Sequence, residues 1–303
     1  MTSFLGHYCT FEHLVEGWDN SPPIKVHHFD SMQDGPHLLV MSGIHAGTEA
    51  IPTAASETAI NMLNSGMIKL THGELTIIPL CNPLALIQSK RYVDENLNRV
   101  FKKHDKPTAY EHAVANILCN YVDRATTVVD LHTQSTPTIP FVFNDFPDTC
   151  TDLSLAVGIR TIIEGWPALF EKSGVFNEGD STSYAATHGI PAIVAECGYN
   201  KDPLAAHVAL QVIIRALDFL KMSGDIYPAP RGHTIIQAYE TITMPNNGAL
   251  ATPFKNFDLA EKGDALIIDK NNGKELITAL EDCIILLPKT WAEPGMEAMF
   301  LGK

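Results

Sequence analysis

The stretch HLLVMSGIHAGTEAIPTAASETAINMLN, residues 37–64, contains the pattern that decides the fold class. It opens with a short apolar run that predicts a buried strand ending in the turn Ser42-Gly43. Apolar residues then recur with helical spacing over 49–64. The stretch therefore predicts a strand, a turn and a helix, with His45 and Glu49 at the turn.

The same alternation of strand and helix continues along the chain. Buried strands are predicted over 74–80, 126–132 and 190–195, helices over 108–122 and 202–222, and a further helix beginning within Leu153–Val157. Strands that alternate with helices at this spacing indicate an α/β fold with a mixed, mainly parallel sheet flanked by helices.

The pattern of apolar runs and turn signals changes after Gly224. The last part of the chain has short β-like runs and turn signals at Asn247-Gly248 and Asn272-Gly273. We therefore predict a large α/β domain over residues 1–227 and a small all-β domain over residues 228–303. The small domain is expected to cap a cleft or to form a subunit contact, which leaves a homo-oligomer open.

The composition excludes several classes of partner. Lys and Arg total 21, whereas Asp and Glu total 35, so the net charge is -14. A chain this acidic is not expected to bind nucleic acid or an anionic membrane surface. The six cysteines are scattered singly without a CxxC pair, which is typical of reduced thiols in a cytoplasmic protein. We expect no signal peptide and no membrane span.

Groups that ligate metals or move protons follow three of the predicted strands. They are His45, His132 and Glu196. In open α/β sheets, functional groups gather at the carboxyl ends of the strands, so these three are expected to share one cleft. Two histidines and one carboxylate form a usual hydrolytic zinc set, and Glu49 is the carboxylate nearest to His45. Asp130 lies two residues before His132, on the same side of the strand, where it would orient the imidazole.

The segment between the two histidines carries arginine and asparagine side chains close together. Arg91, Asn98 and Arg99 lie within the run RYVDENLNRVF, residues 91–101. The planar fork of arginine donates two parallel hydrogen bonds to a carboxylate, which indicates a site for an anionic ligand. The alternative is a solvated loop whose arginines balance Asp94 and Glu95.

Five motifs together resemble one known family. In chain order they are GIHAGTEA, NPLAL, RYVDENLNRVF, VDLHTQS and AIVAECG. They resemble the succinylglutamate desuccinylase/aspartoacylase family, which belongs to the zinc carboxypeptidase-like hydrolases. The resemblance covers roughly residues 36–225, and a small C-terminal β domain also fits the family's layout.

The resemblance implies a role for each motif residue and one zinc ion per chain. It implies His45, Glu49 and His132 as zinc ligands, Glu196 as general base, Arg91 as a catalytic residue on the oxyanion, and Asn98, Arg99 and Tyr184 as substrate-binding residues. Zinc would activate a water molecule, and Glu196 would take its proton and pass it to the departing amine. Tyr184 lies in GDSTSYAATHGIP, where the family often places a residue that contacts substrate.

Two positions depart from the family's pattern. The family usually has HxxE, whereas three residues separate His45 from Glu49 here. Gly47 would absorb the extra residue, or else the carboxylate ligand is disturbed. The second departure is Asn96, where relatives carry Asp before Leu-Asn-Arg, and it puts hydrogen bonding around the site and substrate choice in question.

The sequence thus predicts a zinc-dependent amidohydrolase that removes an acyl group from a small anionic N-acyl amino acid, a linear amide. Three alternatives stay open. The first is a zinc carboxypeptidase acting on peptides, and the second is a hydrolase that uses the Cys197 thiol. The third is a binding protein without activity, which the long His45–Glu49 spacing would favour. The sequence names neither the acyl group nor the amino acid.

Overall fold

The computed structural model describes residues 6–173, 179–224, 228 and 231–303. Its strands are β1 His7–His13, β2 Ile24–Asp30, β3 His37–Ser42, β4 Glu74–Ile78, β5 Thr127–Gln134, β6 Phe141–Phe143, β7 Thr161–Glu164, β8 Ala192–Tyr199, β9 Thr234–Thr243, β10 Gly248–Leu250, β11 Leu259–Ala260, β12 Ala265–Asp269, β13 Glu275–Thr278, β14 Cys283–Leu286 and β15 Glu297–Gly302. Its helices are α1 Ala50–Asn64, α2 Pro83–Ile87, α3 Leu97–Val100, α4 Tyr110–Val122, α5 Pro147–Ala156, α6 Trp166–Ser173, α7 Ser181–Thr187 and α8 Leu204–Phe219.

Twelve of these strands form one sheet, and the predicted fold class is confirmed. The strand order is β1-β2-β4-β3-β5-β8-β6-β7-β9-β15-β14-β11. The central strands β4, β3, β5 and β8 pair in parallel, whereas β1 and β2 at one edge and β9, β15 and β14 towards the other pair antiparallel with one another. Parallel strands need crossover connections, and helices α1, α4 and α7 lead into β4, β5 and β8. With α8 packed beside α1, both faces of the sheet are covered.

The side chains of β3 alternate between two hydrophobic cores. Leu38 and Val40 pack with α1 and α8 on one face, whereas Leu39 and Met41 pack with α4 on the other. All four side chains are fully buried, and complete burial of such a side chain contributes about 1.5–3 kcal/mol. The continuous apolar run in β3 therefore follows from burial on both faces of the sheet.

Two sequence expectations about element boundaries were wrong. The helix expected to begin within Leu153–Val157 ends there instead, because it starts at Pro147, where proline suits the first turn. Strands β5 and β8 run past His132 and Glu196, so these residues lie inside the carboxyl ends of their strands and not after them. Backbone pairing of Asp130 with Val194 and of His132 with Glu196 carries both strands to that point.

The C-terminal strands extend the same sheet. Strand β9 pairs in parallel with β7, and β15 and β14 follow it, while β10, β12 and β13 form a separate three-stranded sheet. The predicted domain boundary at residues 227 and 228 falls largely outside the described residues and stays a prediction. Within the described part of the chain, no helix has the length and apolar character that crossing a membrane requires.

A small hydrophobic cluster joins the C-terminal strands to the α/β part. It includes Phe141 of β6, Ile163 of β7, Ile236 of β9 and Leu286 of β14. Because these buried side chains come from both sides of the predicted boundary, we expect the two parts to unfold together.

Replacing Leu286 by Ala tests this coupling. Leu286 is fully buried, so its truncation should lower the free energy of unfolding by about 2–5 kcal/mol. Urea unfolding should show a single shifted transition when followed by two probes, one in each part. Leu280→Ala is the control, since Leu280 is 75% exposed and should change stability little. A second, unshifted transition would show that the two parts unfold independently.

Candidate metal centre and active-site cavity

The turn between β3 and α1 brings His45 and Glu49 to the same side. The backbone N–H groups of Thr48 and Glu49 both donate to the carbonyl of His45, at 2.9 and 3.0 Å. Gly47 lies against the backbone of Lys90, where an added Cβ would sit 2.0 Å from the Lys90 carbonyl oxygen. Only glycine allows this close approach, so the longer turn fits beneath residues 85–90.

The Glu49 side chain points away from the helix that follows it. Glu49 holds the N-cap position of α1 with φ −132°, but its carboxylate caps no helical N–H. One oxygen lies 3.1 Å from His132 Nδ1 and accepts from the Thr133 N–H at 3.2 Å. The other accepts from Arg91 Nη1 at 3.2 Å. The extra residue in the turn therefore does not remove Glu49 from the candidate site.

His45, Glu49 and His132 form a buried group with one donor atom each within 4.8 Å of the others. His45 Nδ1 is buried and has no hydrogen-bond partner among the described residues. Burial, aided by the charge of Arg91, holds the pKa of His45 well below its usual value, so the imidazole is neutral. An unpartnered, neutral imidazole beside a carboxylate and a second imidazole is the donor set that suits zinc.

His132 is oriented by a second carboxylate. Its Nε2 lies 3.2 Å from Asp130 Oδ1, and Asp130 in turn accepts from the Ser181 hydroxyl at 2.6 Å. Burial alone would lower the pKa of His132, but the carboxylates of Asp130 and Glu49 outweigh it and raise that pKa well above its usual value. With Asp130 behind Nε2, Nδ1 is the nitrogen that faces Glu49, as expected for a ligand held by an outer carboxylate.

Glu196 faces the same space with one free oxygen. Its Oε1 accepts from Gln134 Nε2 at 2.7 Å, while Oε2 is buried without a partner in the part of the chain described. Burial, together with the charge of Glu49, raises the pKa of Glu196 to about 7 against the opposing effect of His132. A carboxyl with a pKa near neutrality can both accept and return a proton.

Arg91 is held by a loop whose anchor sequence reasoning missed. The fully buried Glu111 of α4 accepts from the backbone N–H groups of Val93, Asp94 and Glu95, at 2.7, 3.1 and 3.1 Å. It also accepts from the Asn82 side chain at 3.1 Å. The available signal was an acidic residue on the apolar face of a predicted amphipathic helix.

The segment after this loop turns Asn98 and Arg99 towards the cavity. The Asn96 side chain caps α3 by accepting from the Asn98 N–H at 3.1 Å. Arg99 Nη1 donates to the Asn98 carbonyl at 2.7 Å, and Asn98 Oδ1 is buried with no partner in the described chain. Burial lowers the pKa of Arg99, while the charges of Asp180 and Glu297 oppose that effect.

These groups line one cavity of about 520 Å³. Its lining includes His45, His132 and Glu196, and also Arg91, Asn98 and Arg99. Further lining residues, many of them aromatic or C-terminal, are Phe143, Trp166, Leu287, Pro288, Lys289, Trp291, Glu297 and Phe300. The cavity therefore combines residues of the candidate metal centre with cationic and aromatic side chains.

Comparisons with known proteins identify the family of the chain. Residues 34–212 match the model of the succinylglutamate desuccinylase/aspartoacylase catalytic domain. The chain belongs to this family. A succinylglutamate desuccinylase from Shewanella sp. (strain W3-18-1) is 32% identical over 133 residues, which are 39% of this chain and 37% of that enzyme. The chain thus matches little more than a third of the length of these curated relatives.

Two solved structures show the same fold. A succinylglutamate desuccinylase/aspartoacylase from Rhodobacter sphaeroides covers 100% of this chain and 97% of its own, with a TM-score of 0.78 and 15% identity. The product-bound ectoine utilization protein EutE (DoeB) from Ruegeria pomeroyi has the same coverage and identity, with a TM-score of 0.79. The similarity extends through the C-terminal strands, beyond the region that the family model matches.

Both departures from the family's motifs have a local structural account. The longer His45–Glu49 turn is accommodated by Gly47, as described above. Asn96 uses its side-chain oxygen to cap α3, which an aspartate would do equally well. Neither departure separates the remaining motif residues from the cavity.

The structure does not bring Tyr184 to the cavity. Its ring packs in the core beside Phe101, and its hydroxyl donates to Asp123 Oδ1 at 2.8 Å. Among the described residues that line the cavity, α7 contributes none, although Asp180, which precedes that helix, does. Tyr184 lies on the side of α7 that faces α4, and this geometry lends no support to a substrate contact.

Cys197 is unsuited to be a nucleophile. It lies in β8 and is buried in the core, and its thiol donates to the Ala195 carbonyl. Burial, aided by the charges of Glu196 and Glu49, raises the pKa of Cys197 well above its usual value. The reactive form of cysteine is the thiolate, so this environment argues against a cysteine hydrolase.

Glu111→Gln should loosen the loop that carries Arg91. The substitution keeps the size but turns one accepting oxygen into a donor that faces backbone N–H groups. We expect a loss of about 1–3 kcal/mol in the free energy of unfolding, measured in urea. Glu57→Gln on the exposed face of α1 is the matched control and should stay within about 0.5 kcal/mol of the parent. Equal stability of the two variants would contradict an anchoring role for Glu111.

Proposed function

We propose that this chain is a zinc-dependent amidohydrolase that removes the acyl group from a small anionic N-acyl amino acid. The observation that carries the proposal is the buried His45–Glu49–His132 group beside Glu196, a carboxyl whose pKa is about 7. Family membership supports the deacylase class, and the cavity supplies both a candidate metal centre and cationic groups for an anion. A cytoplasmic location and a homo-oligomeric state remain predictions.

One zinc ion per chain would be held by His45, Glu49 and His132. The donor set fits the metal, because the buried His45 Nδ1 has no hydrogen-bond partner among the described residues and lies close to a carboxylate and a second imidazole. Bound zinc would supply a Lewis acid that polarises the amide carbonyl and lowers the pKa of water. Asp130 would keep the His132 ring turned towards the centre.

Glu196 would move the proton. Gln134 holds one oxygen of the carboxylate and leaves Oε2 directed into the cavity. Since the pKa of Glu196 is about 7, the group would accept a proton from water and return it to the amine that leaves. Water is excluded from the carboxylate by burial, which is the main cause of its raised pKa.

The substrate would be bound by its carboxylate. Arg99 and Asn98 lie on one side of the cavity, and Arg91 lies between them and Glu49. Arginine recognises a carboxylate through two parallel hydrogen bonds, which would fix the amide in one orientation. A second contact from Arg91 to the carbonyl oxygen would stabilise its developing negative charge.

The C-terminal lining of the cavity favours a small amide over a long peptide. Lys289 and Trp291 lie between β14 and β15, Phe300 lies in β15, and all three line the cavity that holds the candidate metal centre. The Lys289 ammonium is paired with Glu297 at 2.8 Å and lies over the Phe300 ring. Side chains in this position would limit the length of an acyl chain or peptide, which supports the deacylase over the carboxypeptidase. The contact of Glu49 with His132 removes the long His45–Glu49 spacing as an argument for a non-catalytic protein.

His45→Ala and His132→Ala should each remove one tightly bound zinc equivalent. Each variant deletes a nitrogen donor, and metal affinity depends on the full ligand set. Zinc content is measured by mass spectrometry after dialysis against a weak chelator. Glu49→Ala should weaken binding as well, because its carboxylate contacts His132. An unchanged tight equivalent in both histidine variants would show that the metal, if any, binds elsewhere.

Glu196→Gln should retain zinc but lose catalysis. The amide keeps the contact to Gln134 yet cannot accept a proton, so kcat should fall at least about 100-fold. Because the deprotonated carboxylate is the active form, parent activity should rise with pH through the pKa of Glu196, and this rise should flatten in the variant. Cys197→Ala is the control and should leave kcat within a fewfold. A folded but inactive Cys197→Ala protein would revive the thiol mechanism.

The substrate class is tested by comparing free N-acyl amino acids with matched N-acyl peptides that end in a free carboxylate. The small acyl amino acids should release amine faster in the zinc-loaded protein. Arg99→Ala should lower kcat/KM by about 10–150-fold, which corresponds to the loss of one hydrogen bond to a charged group. Arg99→Lys keeps the positive charge but not the planar guanidinium that donates two parallel hydrogen bonds. Equal or faster cleavage of the peptides would favour the carboxypeptidase. No cleavage of either class would reject the proposed activity for these compounds.

A further inference from the structure

A second group of metal-ligating side chains lies on the same sheet, away from the cavity. It consists of His28 in β2, His37 at the start of β3 and Glu74 at the start of β4. The cavity lies at the carboxyl ends of β3 and β5, so the length of β3, roughly 16 Å, separates the two groups. The function proposed above uses none of these three residues.

The backbone register places the three side chains on one face. His37 is the direct neighbour of Glu74 across β3 and β4, and His28 is the direct neighbour of Thr76 across β2 and β4. Glu74 and Thr76 are two residues apart, so their side chains point to the same face. The juxtaposition therefore follows from strand pairing and not from a single side-chain rotamer.

The Thr76 hydroxyl orients both imidazoles. It lies 3.0 Å from His28 Nδ1 and 2.8 Å from His37 Nε2. His28 Nε2 is thereby turned towards Glu74, whereas His37 Nδ1 lies between the Arg124 carbonyl, at 3.0 Å, and Glu74, at 3.9 Å. A hydrogen-bond acceptor at the outer nitrogen of a histidine is the usual arrangement behind a metal ligand, and the Thr76 hydroxyl can fill that role.

The inward atoms are spaced as a metal requires. Glu74 Oε2 lies 3.6 Å from His28 Nε2 and 3.9 Å from His37 Nδ1. Ligands at about 2.1 Å in a tetrahedral zinc site are about 3.4 Å apart, so small side-chain movements would close the set. The Glu74 side chain is 47% exposed, which leaves room for water as a fourth ligand.

We propose that His28, His37 and Glu74 bind a second divalent transition-metal ion, with zinc as the expected metal. Two imidazoles and one carboxylate prefer zinc over calcium or magnesium, which prefer oxygen ligands. The site would join β2, β3 and β4 at the amino ends of β3 and β4. It is exposed, has three protein ligands and lies apart from the substrate cavity, so it would bind zinc more weakly than the buried centre.

Binding requires a change of tautomer at His37. Without metal, Nδ1 lies 3.0 Å from the Arg124 carbonyl, to which it donates a proton. With metal, the proton resides on Nε2 and is donated to Thr76 Oγ1, and Nδ1 offers its lone pair to zinc. A hydroxyl oxygen accepts two hydrogen bonds, so Thr76 can serve both rings.

The test is equilibrium dialysis of the full chain with zinc alone, followed by measurement of zinc per chain. The parent should bind two equivalents, and the double variant His28→Asn, His37→Asn should bind one while keeping its deacylase activity. The variant His45→Ala, His132→Ala should still bind one equivalent, whether or not the proposed activity is correct. His72→Asn, an exposed histidine in the turn before β4, is the control and should bind as the parent does.

Thermal unfolding supplies a second measurement. Zinc should raise the melting temperature of the variant His45→Ala, His132→Ala, because a ligand of the native state stabilises it. Glu74→Gln keeps the shape of the side chain and should lower the affinity for the second zinc equivalent at least tenfold. This variant tests the proposal if the double histidine variant fails to fold. A single equivalent in the parent at saturating zinc, or a second equivalent that survives Glu74→Gln unchanged, would overturn the proposal.

Discussion

The buried Glu49 carboxylate is the group on which the site depends. It connects the turn after β3 to His132 and Thr133 of β5 and to Arg91 of the following loop. A carboxylate away from water is costly unless it is paired and hydrogen-bonded, and this one has three partners from two other segments. The requirement to satisfy a single charge therefore holds together the segments that carry the candidate ligands.

Other carboxylates repeat this principle around the cavity. Asp130 sits behind His132 and is held by Ser181, while Glu111 gathers three backbone N–H groups of the Arg91 loop. Each acid has a different local environment and hence a different task. Glu196 has one oxygen without a partner in the described chain, and burial raises its pKa to about 7. Asp130 and Glu111 hold neighbouring groups in place, whereas the pKa of Glu196 suits proton transfer.

The C-terminal strands matter to the site because they contribute to the lining of its cavity. Strand β9 extends the sheet beside β7, and β15 and β14 follow it. Lys289, Trp291 and Phe300 thereby line the same cavity as His45 and His132, which are more than a hundred positions earlier in the chain. The C-terminal part thus shares the cavity with the candidate ligands, which lie in and beside the parallel strands.

The sequence by itself determined the fold class, the succession of the central strands and helices along the chain, and the motif residues of the candidate centre. A strand that is buried on both faces of a sheet needs a short continuous apolar run. Such runs are visible within a few residues of the sequence, so strands and helices can be predicted locally. The tertiary structure alone decided that Glu49 reaches His132 despite the longer turn, and that Tyr184 packs in the core. It also showed that Glu111 anchors the Arg91 loop and that C-terminal aromatic residues line the cavity. These features depend on contacts between segments that are distant in the chain, where one backbone approach, such as Gly47 against Lys90, decides which side chains meet.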